Sequence, residues 1–436
     1  MIDLGEVTED TAPPPMPVNL PRLRRVVLAA LAVVGVLALA GSAGATPAGV
    51  RQLWSTPLRP GEAWSLSADT VYMTRLGNKV SAYNLTTGEL RWSVPAGADV
   101  GDRGASAAGN ILLVPADLDA VTEQNPDGGQ NFYESVGTTI ALDTATGAER
   151  WRTNGEVYAY ADPGVALVAE DDTPGSTSRL RLVRLADGAE IWNHPTPGVA
   201  SWTAIQDGDR LTSVATVTKG GLLSVYDDAT GALRHTAQLP RVGAGKPSDT
   251  LIAAGDYLTV IRDQVIDTTT TVYRADDLQP LWRTPEHAGY VTTCGDLLCS
   301  IGPLGITGHD PRTGTEKWQM PDGADLWMIG HDRMLVSSGA LEGESSMADP
   351  ATGAKIGGPF TGRMAYPLDR GLVPMYLRPA LEPRDRYAVV RVDPDHGSQR
   401  TVGTVPIVTI DDFCMTTGDY LACARAGSAL DITVVD

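Results

Sequence analysis

The chain has 436 residues, 42% of them hydrophobic, with 47 glycines, 30 prolines and a formal net charge of −19 at pH 7. That length and apolar content are enough for a large buried core, and one repeat domain can absorb both. The acidic excess excludes nucleic acid and anionic lipid as partners expected from charge, because binding to either rests on basic clusters that this sequence lacks.

Residues 1–25 are acidic early and proline-rich, the composition of a disordered cytoplasmic tail. Val26 to Ala45 is an uncharged, apolar run of twenty residues, long enough to be a transmembrane helix. Arg22, Arg24 and Arg25 stand directly before it, and the positive-inside rule keeps them in the cytoplasm. Residues 46–436 are then expected outside the plasma membrane, carried on a single span. Ala43-Gly44-Ala45 also fits a signal-peptidase site, so a cleaved signal is the alternative; the long acidic tail favours a retained anchor. The first cysteine is Cys294, which leaves no lipoprotein attachment point at the N-terminus.

Past residue 50 a short phrase returns eight times. It reads YNLTTGELRW ending at Trp92, LDTATGAERW at Trp151, VRLADGAEIW at Trp192 and YDDATGALRH at His235. YRADDLQPLW at Trp282, HDPRTGTEKW at Trp318, ADPATGAKIG at Gly357 and VDPDHGSQRT at Thr401 complete the series. Aligned without gaps, its turn glycines are Gly88, Gly147, Gly188, Gly231, Gly314, Gly353 and Gly397, with Leu278 in the fifth unit. Successive turn positions lie 36 to 59 residues apart, the span of one four-stranded propeller blade.

Each position of the phrase has a structural task. Asn84, Asp143, Asp227, Asp310, Asp349 and Asp393, four residues before the glycine, can accept hydrogen bonds from backbone N–H groups of the turn. The glycine supplies a positive φ at little steric cost. The tryptophan ending the following strand is large enough to fill the wedge between neighbouring blades. A metal-ligand or catalytic reading of the aspartates is the weaker one. A second hairpin signal, Gly-Asp between apolar runs, precedes the later phrases at Gly255-Asp256, Gly295-Asp296 and Gly418-Asp419. Two hairpins per period make four strands.

These phrases, each a strand, a D-x-x-T-G-x-x-x-W turn and a second strand, resemble the repeat of the PQQ-like β-propellers, the group containing quinoprotein alcohol dehydrogenases and the BamB outer-membrane assembly factor. The resemblance covers residues 50 to 436 and implies an all-β propeller. Strict counting gives nine units, but eight blades, the commoner family architecture, are the expectation, with one C-terminal unit degenerate and nine blades the alternative. RQLW, ending at Trp54, matches the strand after each turn but has no turn before it, while the C-terminus stops before any such strand. Residues 50 to 57 are therefore expected to complete the last blade and close the ring.

Four cysteines form two close pairs, Cys294 with Cys299 and Cys414 with Cys423. A two-residue turn at Gly418-Asp419 would set Cys414 opposite Cys423; the other pair would need a four-residue loop of 295–298. Disulfides are expected in an oxidising space, with buried thiols the alternative. The second unit is long, and 117–136 reads as an acidic insertion loop, solvated or binding calcium or a protein.

No catalytic constellation stands out. The six histidines lack metal-ligand spacing, and no G-x-S-x-G elbow, phosphate loop or H-E-x-x-H helix occurs. Quinone-using relatives carry a vicinal cysteine pair and a calcium-ligand set, neither of which can be matched here residue by residue. The expected function is a non-catalytic binding scaffold for other envelope proteins, with no catalytic, cofactor or metal residues and no cofactor. A quinoprotein dehydrogenase or propeller hydrolase is the alternative.

Overall fold

The computed structural model describes residues 49–124, 130–160, 164–173, 176–240, 248–263, 268–284, 289–339, 344–368, 374–406, 414–425 and 429–435. The expected tail and membrane span, 1–45, lie outside these residues. Among the described residues the structure is all-β, with 36 strands and no helix long and apolar enough to cross a membrane.

The strands pair antiparallel in successive groups of four, as two hairpins per repeat demand. Seven groups form separate sheets, spanning 63–95, 106–154, 156–195, 199–238, 248–283, 290–320 and 325–360. The eighth sheet has eight strands. One half of it is the group at 363–406. The other half is built from Cys414–Thr417, Tyr420–Arg425, Ala429–Val435 and, from the opposite end of the chain, Val50–Pro57. The halves join through a short parallel ladder, Tyr366 with Met415 and Pro367 with Thr416.

Val50–Pro57 pairs antiparallel with Ala429–Val435, from Val50 opposite Val435 to Pro57 opposite Ala429. The outer strand of the last group thus comes from the start of the domain. Among the described residues there is no single central core. Apolar side chains instead collect at the joints between successive groups, because alternate residues of each strand face opposite neighbours. Leu112 and Val114 pack back against Tyr72 and Trp92, whereas Ile111 and Leu113 pack forward against Ala166 and Val183. Burial on both faces explains why such strands read as unbroken apolar runs. The ring closes where Leu66, Val71 and Met73 of the first group meet Ala422, Leu430 and Ile432 of the last.

The expected insertion loop is instead strand. Ile111–Gln124 and Gln130–Asp143 run side by side for fourteen residues each, paired out to Gln124 opposite Gln130. The ladder is interrupted at Asp117, which has φ 53° and lies across from Gly137, where a Cβ would stand 2.7 Å from the Asp117 carbonyl. The polar and acidic residues of this segment hid the strand pattern, because they break the alternation of apolar and polar residues by which a strand is read.

Candidate functional site

The phrase tryptophans hold the joints. Nε1 of Trp54, Trp92, Trp151, Trp192, Trp282 and Trp318 donates to a turn carbonyl of the next group: Leu85, Thr144, Leu185, Asp228, Pro311 and Pro350, at 2.7 to 2.9 Å. Each indole lies flat on the glycine three residues after that carbonyl. A Cβ on Gly88, Gly147, Gly188, Gly231, Gly314 or Gly353 would come within 2.6 to 2.9 Å of the ring or, at Gly231, also of His194. Glycine is therefore required twice over, for its positive φ of 68° to 72° and for the space. At Gly397 the neighbour is the backbone of Gly357, which stands where the tryptophan would be.

The phrase acids are spent within their own turns. Asn84 Oδ1 accepts from the N–H groups of Thr86 and Thr87, and Asp143 Oδ1 from those of Ala145 and Thr146. Asp227, Asp310, Asp349 and Asp393 accept in the same way. Arg150 and then Thr146 hold the Asp143 carboxyl down at about 2. Thr230 and Arg234 do the same for Asp227, also at about 2. These carboxylates remain ionised and occupied, which suits turn locks and not general acids.

Both cysteine pairs are bridged. Cys414 stands directly opposite Cys423 across the Gly418-Asp419 turn. For the other pair the four-residue loop is not needed: a two-residue turn sets Cys294 opposite Leu297 and Thr292 opposite Cys299, and the bridge runs diagonally with Cα atoms 5.8 Å apart. Both bridges lie in buried joint clusters.

One serine–histidine contact exists among the described residues, Ser300 Oγ to His309 Nε2 at 2.8 Å. Both residues are buried. The other imidazole nitrogen meets the Gly314 carbonyl, not a carboxylate, and the ring packs on Trp282 at 5.0 Å. Burial lowers the His309 pKa. A substrate has no route to this hydroxyl, so the pair serves as a stitch within the sixth group. No three His, Cys, Asp or Glu side chains among the described residues converge as metal ligands.

A concave surface is assembled from the first hairpin turns of the fourth to seventh groups together with the first hairpin of the eighth. It is a cleft of about 960 Å³ bordered by Gly208, Gly255, Asp256, Gly295 and Gly330. One wall is apolar: Trp327, Met328, Ile329, Met364, Tyr366 and Leu368. Trp327 is 36% exposed, Tyr366 44% and Leu368 37%, although large apolar side chains are normally drawn inward. The other wall carries Asp207 and Asp256. Tyr290 fixes the strand bearing Trp327 by donating its hydroxyl to Asp325 Oδ1 at 2.7 Å; burial pushes the Tyr290 pKa up. Sequence reasoning missed this site because its residues are spread over some 160 positions and each turn alone is ordinary. The signal available was the apolar excess of WMIG at 327–330, next to a turn where neighbouring units place Gly-Asp.

A second cleft, of about 840 Å³, shares Gln206, Asp207 and Asp256 with the first and runs into the joint between the fourth and fifth groups. It opens where the repeat breaks. His235 stands in the tryptophan position and is exposed, and Leu278 stands in the glycine position with φ 57°. Leu278 packs down into the cluster of Ile205, Val225 and Leu239 and fills the floor of the joint.

A closed series of four-stranded antiparallel groups, packed face to face and sealed by pairing of the two chain ends, defines a β-propeller. The family model described as outer membrane protein assembly factor BamB matches residues 176–325. Among solved structures, BamB from Moraxella catarrhalis is 15% identical, over 89% of this chain and 98% of that one, with a TM-score of 0.45. A eukaryotic initiation factor is 12% identical over 80% and 88% of the two chains, with a TM-score of 0.54. The computationally designed Ika8 protein is 14% identical over 88% and 100%, with a TM-score of 0.46. At such identities the likeness is one of fold alone. No curated protein matches the sequence.

Proposed function

We propose that this protein is a membrane-anchored, extracytoplasmic propeller of nine four-stranded blades that works as a non-catalytic binding platform for other proteins of the cell envelope. The observation that carries this reading is the cleft of Trp327, Tyr366 and Leu368, an exposed aromatic and aliphatic wall facing Asp207 and Asp256. Exposed apolar surface rimmed by polar groups is the mark of a protein-binding site. The match of 176–325 to an assembly-factor model agrees with a scaffold role. The anchor rests on the uncharged run Val26 to Ala45 behind Arg22, Arg24 and Arg25, and the two disulfides suit an oxidising compartment. Nine blades follow from counting each four-stranded group, the composite one included, as a blade.

The test is co-purification from detergent-solubilised native membranes. Trp327→Ser/Leu368→Ser removes two exposed apolar side chains of the wall. This variant should fold as the parent does and lose the parent's bound proteins, while pyrroloquinoline quinone with calcium should change neither the absorbance nor the melting temperature of the parent. Retention of the same partners by the variant would remove the cleft from the account. A quinone-dependent absorbance band would replace the platform with an enzyme.

A further inference from the structure

The cleft of about 960 Å³ is acidic at one end and apolar at the other, because its lining follows the order of the groups. Asp207 belongs to the fourth group and Asp256 to the fifth, Thr293 to the sixth, Trp327 to the seventh and Leu368 follows the first strand of the eighth. Close packing between successive turns holds the two ends apart. A Cβ on Gly255 would stand 3.5 Å from the Thr293 methyl, and one on Gly295 3.2 Å from the His331 carbonyl. Tyr290 of the sixth group is tied to Asp325 of the seventh at 2.7 Å.

The acids at the one end have no cation of their own. Asp143 and Asp227 of the phrase turns are held by Arg150 and Arg234, whereas Asp207 and Asp256 are exposed and have no ion pair among the described residues. No lysine or arginine lines the cleft. Its one histidine, His331, faces a further exposed acid, Asp296, at 3.2 Å. We infer that the cleft docks a segment of a partner protein that carries a lysine or arginine and, a few residues away, a large aliphatic or aromatic side chain. The cation lies beside Asp207 and Asp256, and the apolar residue packs against Trp327 and Leu368. This inference rests on the cleft being the docking surface of the proposed platform and adds what that surface selects. The apolar contact supplies most of the affinity, while the charges set direction and speed encounter. An acidic segment meets like charge at one end and is rejected.

Random peptides displayed on phage serve as the probe. They are selected on the full-length protein in nanodiscs of zwitterionic lipid, and in parallel on Trp327→Ser/Leu368→Ser and Asp207→Asn/Asp256→Asn. Asparagine suits such turns, so the acid variant should keep the fold. Peptides enriched on the parent should combine a lysine or arginine with a bulky apolar residue a few positions away, and Trp327→Ser/Leu368→Ser should not enrich them. Selection on the acid variant should keep the apolar residue and lose the preference for the cation. A synthetic copy of an enriched peptide should bind the acid variant about three- to tenfold more weakly than the parent at low salt, as expected for two exposed ion pairs, and the gap should close at high salt. Enrichment that requires Trp327 and Leu368 but shows no excess of lysine and arginine, or that the acid variant reproduces in full, would overturn the inference and leave the platform standing. Enrichment indifferent to Trp327 and Leu368, or none at all, would remove the docking surface and the inference with it. If the acid variant does not fold, the composition of the peptides enriched on the parent decides.

Discussion

Trp151 lies on Gly188 of the following group, so close that a Cβ on the glycine would stand 2.9 Å from the ring, and its Nε1 donates to the Leu185 carbonyl at 2.8 Å. Removing the indole empties the joint. Trp151→Ala should therefore cost about 3 to 5 kcal/mol, the loss typical of a buried aromatic ring. The glycine side gives a sharper comparison. Gly188→Ala must displace Trp151, whereas Gly198→Ala, also at positive φ, has nothing within 4 Å. Chemical denaturation should show Gly188→Ala to be the more destabilising by about 1 to 3 kcal/mol, the cost of overpacking. Equal losses would mean that backbone strain alone matters and that the stacked indole does not.

His235 and Leu278 should be energetically coupled. His235→Trp alone forces an indole against Leu278, a cost of about 1 to 3 kcal/mol. Leu278→Gly alone empties a buried position, a cost of about 2 to 4 kcal/mol that is reduced by relief of the positive φ. Together they rebuild the joint found elsewhere in the ring. A double-mutant cycle should give a favourable coupling of about 1 to 3 kcal/mol; simple additivity would contradict the shared joint.

That pair also shows how much the sequence revealed. The repeat displayed both irregularities, a phrase ending in histidine and a phrase lacking glycine, but as separate lapses in consecutive units. Only the rule that each tryptophan lies on the next unit's glycine makes them one event. The repeat, its four-strand content and the loan of residues 50–57 to the last group were legible because they depend on local turn chemistry and periodic apolar runs. The cleft was not, since its wall joins Trp327 of one group to Tyr366 and Leu368 of the next, a juxtaposition that no local pattern encodes. The Cys294–Cys299 bridge was expected, but its turn was misread for a different reason: strict opposition across a hairpin was too narrow a rule, because diagonal neighbours are also within reach.

The turn aspartates make an acid-sensitive contribution to stability. Asp143, Asp227 and Asp277 have folded pKa values held at about 2, by Arg150, by Thr230 and Arg234, and by Arg274 respectively. An unfolded aspartate titrates near about 3.9. Their stabilisation is thus complete above about pH 4 and is lost as pH falls toward 2. Asp143→Asn should be less stable than the parent at neutral pH, with the gap closing across that interval. A gap that is constant down to pH 2 would show that the Arg150 pair contributes nothing.

Mass spectrometry of protein purified from its native host and alkylated without reductant should find Cys414 linked to Cys423 and Cys294 to Cys299. Cys414→Ser/Cys423→Ser should lower stability by about 2 to 3 kcal/mol, as loop-closure entropy predicts for so short a loop. Free thiols at these positions would argue against an oxidising compartment.

The proposed platform meets its partners at the cleft of Trp327, Tyr366 and Leu368. A photo-crosslinking amino acid placed at Trp327 in native cells, compared with one at Leu222, an exposed strand position that does not line the cleft, gives the decisive comparison. The account predicts a discrete protein adduct from position 327 and none from position 222. Absence of an adduct at 327, or the same adducts from both positions, would contradict it.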